Sequence, residues 1–197
     1  MEWGAVTYLS RSKYGANEEI WNNPIYPYKT GCAETGVNAS NESICNSYNT
    51  ENGQKASTTH NIYGIYDMSG GAYEYVMGGM YSDGTKTKLL QGFAEFTEKE
   101  LTLTSEDFIG SKYIDKYTYG TLYGDYSRRK LGDATGETMG WYGDYADFVY
   151  SSGPWFSRGG NFYDGTGAGA FAFNSYNGDS SSDSGFRLAV SGVFPSA

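Results

Sequence analysis

NIYGIYDMSGGAYEYV, residues 61–76, places a tight Asp-Ser-Gly turn between an aliphatic and aromatic run and a second aromatic run that holds one acid, Glu74. Because Tyr73 and Tyr75 flank this carboxylate, we expect it to be buried or half-buried. A buried acid needs hydrogen-bond donors around it. The stretch therefore predicts a turn that leads into the core, with Glu74 as a structural residue that bridges backbone donors.

Two further stretches match a known pattern when taken together with residues 61–76. They are Glu2-Trp3-Gly4-Ala5-Val6 at the start, and Trp155-Phe156-Ser157-Arg158-Gly159-Gly160 followed by Gly185-Phe186-Arg187-Leu188 near the end. The three stretches resemble the formylglycine-generating enzyme and sulfatase-modifying-factor superfamily, whose signature reads N-x-x-G-L-Y-D-M-x-G-N-x-W-E-W and which ends in R-G-G-S-W and G-F-R. The matching signature positions are Asn61, Gly64, Tyr66, Asp67, Met68, Gly70 and Glu74.

This resemblance implies an α+β, C-type-lectin-like fold with short strands, few helices and long ordered loops. It covers residues 1–197 as a single domain and implies structural roles for Arg158 and Arg187. Chains of the superfamily have several strands before the helix at which this sequence starts. We therefore expect residues 1–197 to be the C-terminal part of a longer protein.

Charge and hydropathy exclude two classes of partner. The formal net charge is −9, and Arg128-Arg129-Lys130 is the only basic cluster, so the sequence predicts no nucleic-acid partner. That cluster is typical of a solvated loop or of a counter-charge to nearby acids. No apolar run approaches the ~20 residues of a membrane span, so we expect no direct membrane insertion by this fragment.

Two cysteines, Cys32 and Cys45, lie in a polar segment rich in Asn, Ser and Thr. They are close enough in sequence to close a short loop, and whether they are bridged stays open. A bridge would indicate an oxidising, extracytoplasmic compartment. A zinc site is not expected, because two thiols and the single distant His60 fall short of four ligands.

Local patterns predict some secondary structure. Residues 2–14 place Trp3, Val6 and Leu9 on one face of a helix, with Gly15 as a stop signal. The segment 113–126 fits either a strand pair or a tyrosine-lined loop. Three further expectations are a turn over 80–87, a short helix that starts near Ser105, and a strand over 140–150.

The last part of the chain has an unusual composition. From Gly159 to Ala197 there is no Lys, Glu, Gln, Met or Trp, and Asn, Asp, Ser, Gly, Tyr, Phe, Ala and Thr fill the space. This pattern resembles the variable proteins of diversity-generating retroelements, in which adenines near the 3′ end of a C-type-lectin-like gene are rewritten. Tyrosine gives contact area at low entropy cost, and Ser, Gly and Asn give adaptable polar contacts. A variable ligand-binding segment is therefore predicted over about 158–187.

The resemblance predicts a non-catalytic ligand-binding or receptor-binding protein on a cell or virion surface, whose partner is a protein or glycan on another cell surface. Two alternatives stay open: a structural or adhesin (pilin-like) surface subunit, and a calcium-dependent lectin. The predicted ligand-binding residues are Asn161, Tyr163, Asp164, Thr166, Asn174, Ser175, Tyr176, Asn177, Asp179, Ser181 and Asp183.

Catalysis by the superfamily's known chemistry is not expected. The oxidase branch uses a cysteine pair in its C-terminal segment, but no cysteine follows Cys45. The iron-dependent branch uses three histidines, and His60 is the only one here. Calcium is the one candidate cofactor, but Gly71 replaces the signature Asn. The pairs Asp144 with Asp147 and Asp179 with Asp183 are typical of solvated loops, although such pairs also occur at calcium sites.

Overall fold

A computed structural model describes residues 2–20, 46–80 and 115–187. These residues form a mixed α/β structure with one sheet and few helices, which is compatible with the predicted α+β class. The helices are α1 (Glu2–Ser10) and α2 (Glu51–Gln54), and neither is long and apolar enough to cross a membrane. The strands are β1 (Tyr73–Met80), β2 (Asp115–Tyr117), β3 (Trp155–Arg158), β4 (Phe173–Tyr176) and β5 (Ser184–Gly185). The predictions for Cys32 and Cys45, for the turn beyond Met80 and for a helix near Ser105 lie outside the described residues.

Strand β1 is the centre of the sheet. One edge of β1 pairs antiparallel with β3, and β3 pairs antiparallel with β4. β5 runs parallel to the start of β1, and β2 runs parallel to its end. The sheet order is therefore β2-β1-β3-β4, with β5 beside β1.

The main core covers one face of this sheet and consists mostly of rings. Phe156 of β3 packs edge-on against Tyr117, Phe148 and Phe173, with ring centroids 5.2 to 5.9 Å apart. Met80 and Val149 complete this cluster. A second cluster, made by Trp3, Ile20, Met68 and Ala170, joins α1 to the signature stretch and to the loop before β4.

Helix α1 is shorter than predicted, and its buried face agrees only in part with the predicted one. It ends at Ser10 rather than near residue 14, and Leu9 is 54% exposed. The buried positions are Trp3, Gly4, Thr7 and Ser10. Small residues are required there because a Cβ on Gly4 would lie 2.5 Å from the carbonyl oxygen of Gly132. The Trp3, Val6 and Leu9 pattern therefore predicted the helix correctly and its inner face in part: Trp3 and Val6 pack in the core, but Leu9 does not.

The strand predicted over 140–150 is not formed. Trp141–Gly143 is a turn of 3-10 helix, and Tyr142 and Gly143 have φ angles of 60° and 85°. Positive φ angles are incompatible with an extended strand. In the rest of 140–150 there are only isolated bridges, between Ala146 and Phe173 and between Tyr150 and Gly153. In the described part of the open segment 113–126, β2 is followed by bends.

Arg158, at the end of β3, is the most buried charged side chain among the described residues, with 2% of its surface exposed. Its Nη2 donates to the carbonyl oxygens of Asp133, at 3.1 Å, and Ala134, at 2.7 Å. The guanidinium also lies 5.7 Å from the ring centre of Trp3 and 5.5 Å from that of Phe173. Burial lowers the pKa of Arg158 to about 10, while the nearby Asp133 opposes this shift, so the side chain remains charged at neutral pH.

The two ends of the family-like pattern meet at Arg187. Its Nε donates to Glu74 at 2.5 Å, and a second bond joins Nη2 to the same carboxylate. The guanidinium also donates to the carbonyl oxygens of Tyr66, at 2.9 Å, and Asp67, at 2.8 Å. The partner of Glu74 is thus an arginine rather than the backbone donors that the sequence suggested. A bidentate pair of this kind fixes orientation as well as distance.

We expect Arg158→Ala to lower the free energy of unfolding by roughly 3 kcal/mol or more, because it leaves a cavity and two buried carbonyl oxygens without a donor. Arg129→Ala, at an exposed arginine, is the matched control and should cost less than about 1 kcal/mol. Urea unfolding followed by tryptophan fluorescence measures both. Equal midpoints for Arg158→Ala and the parent chain would show that Arg158 does not hold the fold.

Candidate functional site

The face of the sheet opposite the core is rich in tyrosine. Side chains alternate along a strand, and the register pairs Tyr75 with Ser157 and Ser157 with Asn174. The same register pairs Trp155 with Tyr176. Phe156 and Arg158 point the other way, into the core. We call the side chains on the outer side the tyrosine face: Tyr73, Tyr75, Trp155, Ser157, Asn174 and Tyr176.

Two loops border the tyrosine face, and Asn161 joins them. Its Nδ2 donates to the carboxylate of Asp183 at 2.8 Å, and its Oδ1 accepts from the backbone N–H of Tyr163 at 2.9 Å. The backbone N–H of Asn161 donates to Asp164 at 2.9 Å. Asn161 is only 5% exposed. Its ligand contact stays a prediction, and the structure gives it a further role: it fixes the loops 161–166 and 177–183 side by side.

Hydrogen bonds connect these loops to the sheet. Asp164 and Asn174 both hydrogen-bond the hydroxyl of Tyr73, and burial together with Asp164 raises the pKa of that hydroxyl. The hydroxyl of Tyr75 donates to the carbonyl oxygen of Asp179 at 3.1 Å. Burial, with Tyr176 and Asp179 nearby, raises the pKa of Tyr75 to about 12. Both tyrosines are therefore neutral hydrogen-bond donors at physiological pH.

An aromatic pair lies on top of this framework. The rings of Tyr75 and Tyr176 meet edge to face, with centroids 6.0 Å apart and planes at 76°. Both rings are half-buried, so each keeps part of its surface in solvent. In the neighbouring loop, Tyr163 stacks on Phe162 with centroids 4.0 Å apart and is 47% exposed. The site thus offers partly exposed rings that are already held in place.

The predicted ligand-binding residues do not all lie together. Asp164, Asn174, Tyr176, Asp179 and Asp183 contact the tyrosine face or its tyrosines. Ser175 has the opposite orientation, because it pairs with Phe156 of the core face, and it packs against Gly153. The remaining predicted residues are on the loops: Tyr163, Thr166 and Asn177 are exposed, and Ser181 is half-buried and hydrogen-bonds Asp183.

Four members of the site were not predicted as ligand contacts. The sequence predicts Tyr73 and Tyr75 as the rings that flank Glu74. It predicts Trp155 and Ser157 as parts of the family-like stretch 155–160. Alternation along 73–76 places Tyr73 and Tyr75 on one face of the strand and Glu74 and Val76 on the other. The sequence alone therefore predicts this part of the site. The sequence alone does not predict which strands pair with β1, because the register depends on contacts between distant segments.

The other candidate acids have separate structural partners. Asp144 is buried, and its Oδ2 accepts from the backbone N–H of Phe171 at 3.0 Å. Asp147 accepts a hydrogen bond from the hydroxyl of Tyr123. His60 lies in a turn with φ of 54°, and its Nδ1 is 3.0 Å from Glu18. No three His, Cys, Asp or Glu side chains within 2–20, 46–80 and 115–187 are grouped as metal ligands would be.

Comparison with known proteins adds no relative. No model of a known protein family, no curated protein and no solved structure matches the chain.

Asp144 gives a pH-dependent prediction. Burial and the carboxylate of Glu19 raise the pKa of Asp144 from 3.8 to about 8. The folded chain then binds a proton that the unfolded chain releases, so stability falls as pH rises from about 4 to about 8.

We expect Asp144→Asn to flatten this slope, since the amide oxygen can still accept from Phe171. Glu51→Gln, in the exposed first turn of α2, is the control and should retain the slope. Urea midpoints across this pH range measure it, and an unchanged slope in Asp144→Asn would contradict the assignment.

Proposed function

We propose that this chain is a non-catalytic binding protein and that the tyrosine face, with its two bordering loops, contacts another molecule. The observation that carries the proposal is the preorganised pair of Tyr75 and Tyr176, half-exposed on a hydrogen-bonded sheet. Rigid aromatic side chains lose little conformational entropy on binding, and tyrosine is enriched at energetically dominant interface positions. The partner that we propose is a protein or glycan on another cell surface.

Rigid presentation supports a binding role. The loops that carry Tyr163 and Asp179 are held by hydrogen bonds of Asn161 and Tyr75. A surface that is ordered before binding pays less entropy on association. At its rim, Thr166 and Asn177 are short and polar and Tyr163 adds one exposed ring, so these side chains adapt to a partner without disturbing the sheet.

We further propose that the fold is C-type-lectin-like and that the segment 158–187 is diversified by a retroelement. Two contacts support this. Arg187 joins the G-F-R-like end to the Tyr66-Asp67 signature, and Arg158 anchors the R-G-G-like strand in the core. Such a scaffold is stabilised by residues outside the loops that would vary. A surface location, on a cell or a virion, is part of the same proposal.

We expect the double variant Tyr163→Ala and Tyr176→Ala to weaken binding by about thirtyfold or more, since loss of an aromatic hot spot costs roughly 2 kcal/mol. Binders are first selected from random peptides displayed on phage, and from a glycan array, with the parent chain as bait. The matched control is Tyr14→Ala with Tyr63→Ala, which removes two exposed tyrosines elsewhere. Equal binding by both double variants would place the interface on another surface.

Sequences of sibling genes test the retroelement proposal. We expect differences between closely related copies to be concentrated in the codons for 158–187 and to fall at adenines of a template copy. The codons for Arg158, Gly159, Gly160 and Phe173 should stay constant because these residues build the scaffold. Differences spread evenly along the gene would contradict diversification by this route.

A further inference from the structure

Negative charge surrounds the tyrosine face. Between Gly159 and Phe186 the only ionisable side chains besides tyrosines are Asp164, Asp179 and Asp183. The first hydrogen-bonds Tyr73, and the other two lie close enough to Tyr75 to raise its pKa. Asp183 has a lowered pKa, because Ser181 and Asn161 donate to it, and is therefore ionised at neutral pH.

The nearest arginines of the framework do not neutralise this charge. Arg158 points into the core, on the opposite side of the sheet. Arg187 is bound by Glu74 and by the carbonyl oxygens of Tyr66 and Asp67. Asp179 is thus exposed beside Tyr75, and Asp164 and Asp183 are half-buried beside Tyr73 and Tyr75.

A second, independent feature lies under the rings. Ser157 is 1% exposed, and its Oγ has no hydrogen-bond partner among the described residues. It belongs to the tyrosine face, between Tyr75 on β1 and Asn174 on β4. A buried hydroxyl without a partner is costly, and such groups are found where a ligand or water completes the site.

We propose that the tyrosine face recognises lysine or arginine side chains presented by a basic segment of a partner protein. This inference rests on the proposed binding function and names its partner class. A cation over a tyrosine ring is attracted by the ring's negative face, and a neighbouring carboxylate adds a charge-assisted hydrogen bond. The combination of rings and acids suits an ammonium or guanidinium group.

The arrangement suits an organic cation better than a metal ion. Calcium takes six to eight oxygen ligands, roughly, and here the carboxylates already accept bonds from Asn161, Asn177 and Ser181. Each carboxylate has lone pairs left for a further donor, but within 2–20, 46–80 and 115–187 no three acids, histidines or cysteines are grouped as metal ligands would be. Because the three acids lie on two different loops, a segment with several cationic side chains engages more of them than one small amine does.

The test uses a fluorescein-labelled peptide of alternating Lys and Gly, with its Glu counterpart and the neutral glycan chitotetraose as comparison probes. We expect the Lys peptide to bind the full chain, and Asp179→Asn and Tyr176→Ala each to weaken it about two- to fivefold, as single ion pairs and cation–π contacts do. Glu51→Gln makes the same charge change away from the face and should leave binding unaltered. Fluorescence anisotropy gives the dissociation constants, and melting temperatures show whether each variant is folded.

The outcomes separate this inference from the function on which it rests. Equal weakening by Asp179→Asn and Glu51→Gln would mean attraction by the net charge alone and would overturn the inference. Binding of chitotetraose or the Glu peptide but not of the Lys peptide, lost in Tyr176→Ala, would overturn the basic partner and retain the binding function. If neither these probes nor the phage and array selections give binders that depend on Tyr163 and Tyr176, both proposals fail.

Discussion

The buried guanidinium of Arg158 is the constraint on which the described structure depends. It belongs to β3, yet its Nη2 donates to the carbonyl oxygens of Asp133 and Ala134, and the guanidinium lies near the rings of Trp3 and Phe173. One side chain therefore connects a central strand, an edge strand, the N-terminal helix and an irregular loop. Burying a charge is expensive unless hydrogen bonds and nearby charges offset the lost hydration, so the contacts of Arg158 favour one arrangement of these four elements.

The orientation of Arg158 also decides which face of the sheet is free. Alternation along β3 sends Phe156 and Arg158 to the core and leaves Trp155 and Ser157 on the other side. Two glycines follow, with φ angles of 86° and 69°, and turn the chain toward the loop that starts at Asn161. A Cβ on Gly160 would lie 2.7 Å from the Cα of Ala168, so this turn also needs the missing side chain.

The sequence predicted those features that one segment decides by itself. The signature turn, the burial of Arg158 and the start of α1 follow from local residue type and from the family-like spacing. The inner face of α1 followed only in part: Trp3 and Val6 pack in the core as hydrophobic residues, but Gly4 is buried by its close approach to residues 132–133, and Thr7 and Ser10 are buried although polar. The tyrosine face was missed for a related reason: Tyr75 and Tyr176 are distant in sequence and meet only through the register of three strands.

Within residues 158–187, some side chains hold the candidate site in shape and others lie exposed at its edge. Asn161 holds two loops through its side chain, so exchange for a shorter residue would release Asp183 and the backbone of Tyr163. By contrast, Tyr163, Thr166 and Asn177 are exposed at the rim. If the segment is diversified, changes at the rim alter the contact chemistry on a constant frame, whereas a change at Asn161 alters the relative position of the loops. Diversification of one segment would then change the chemistry of the surface through the rim residues and its shape through Asn161.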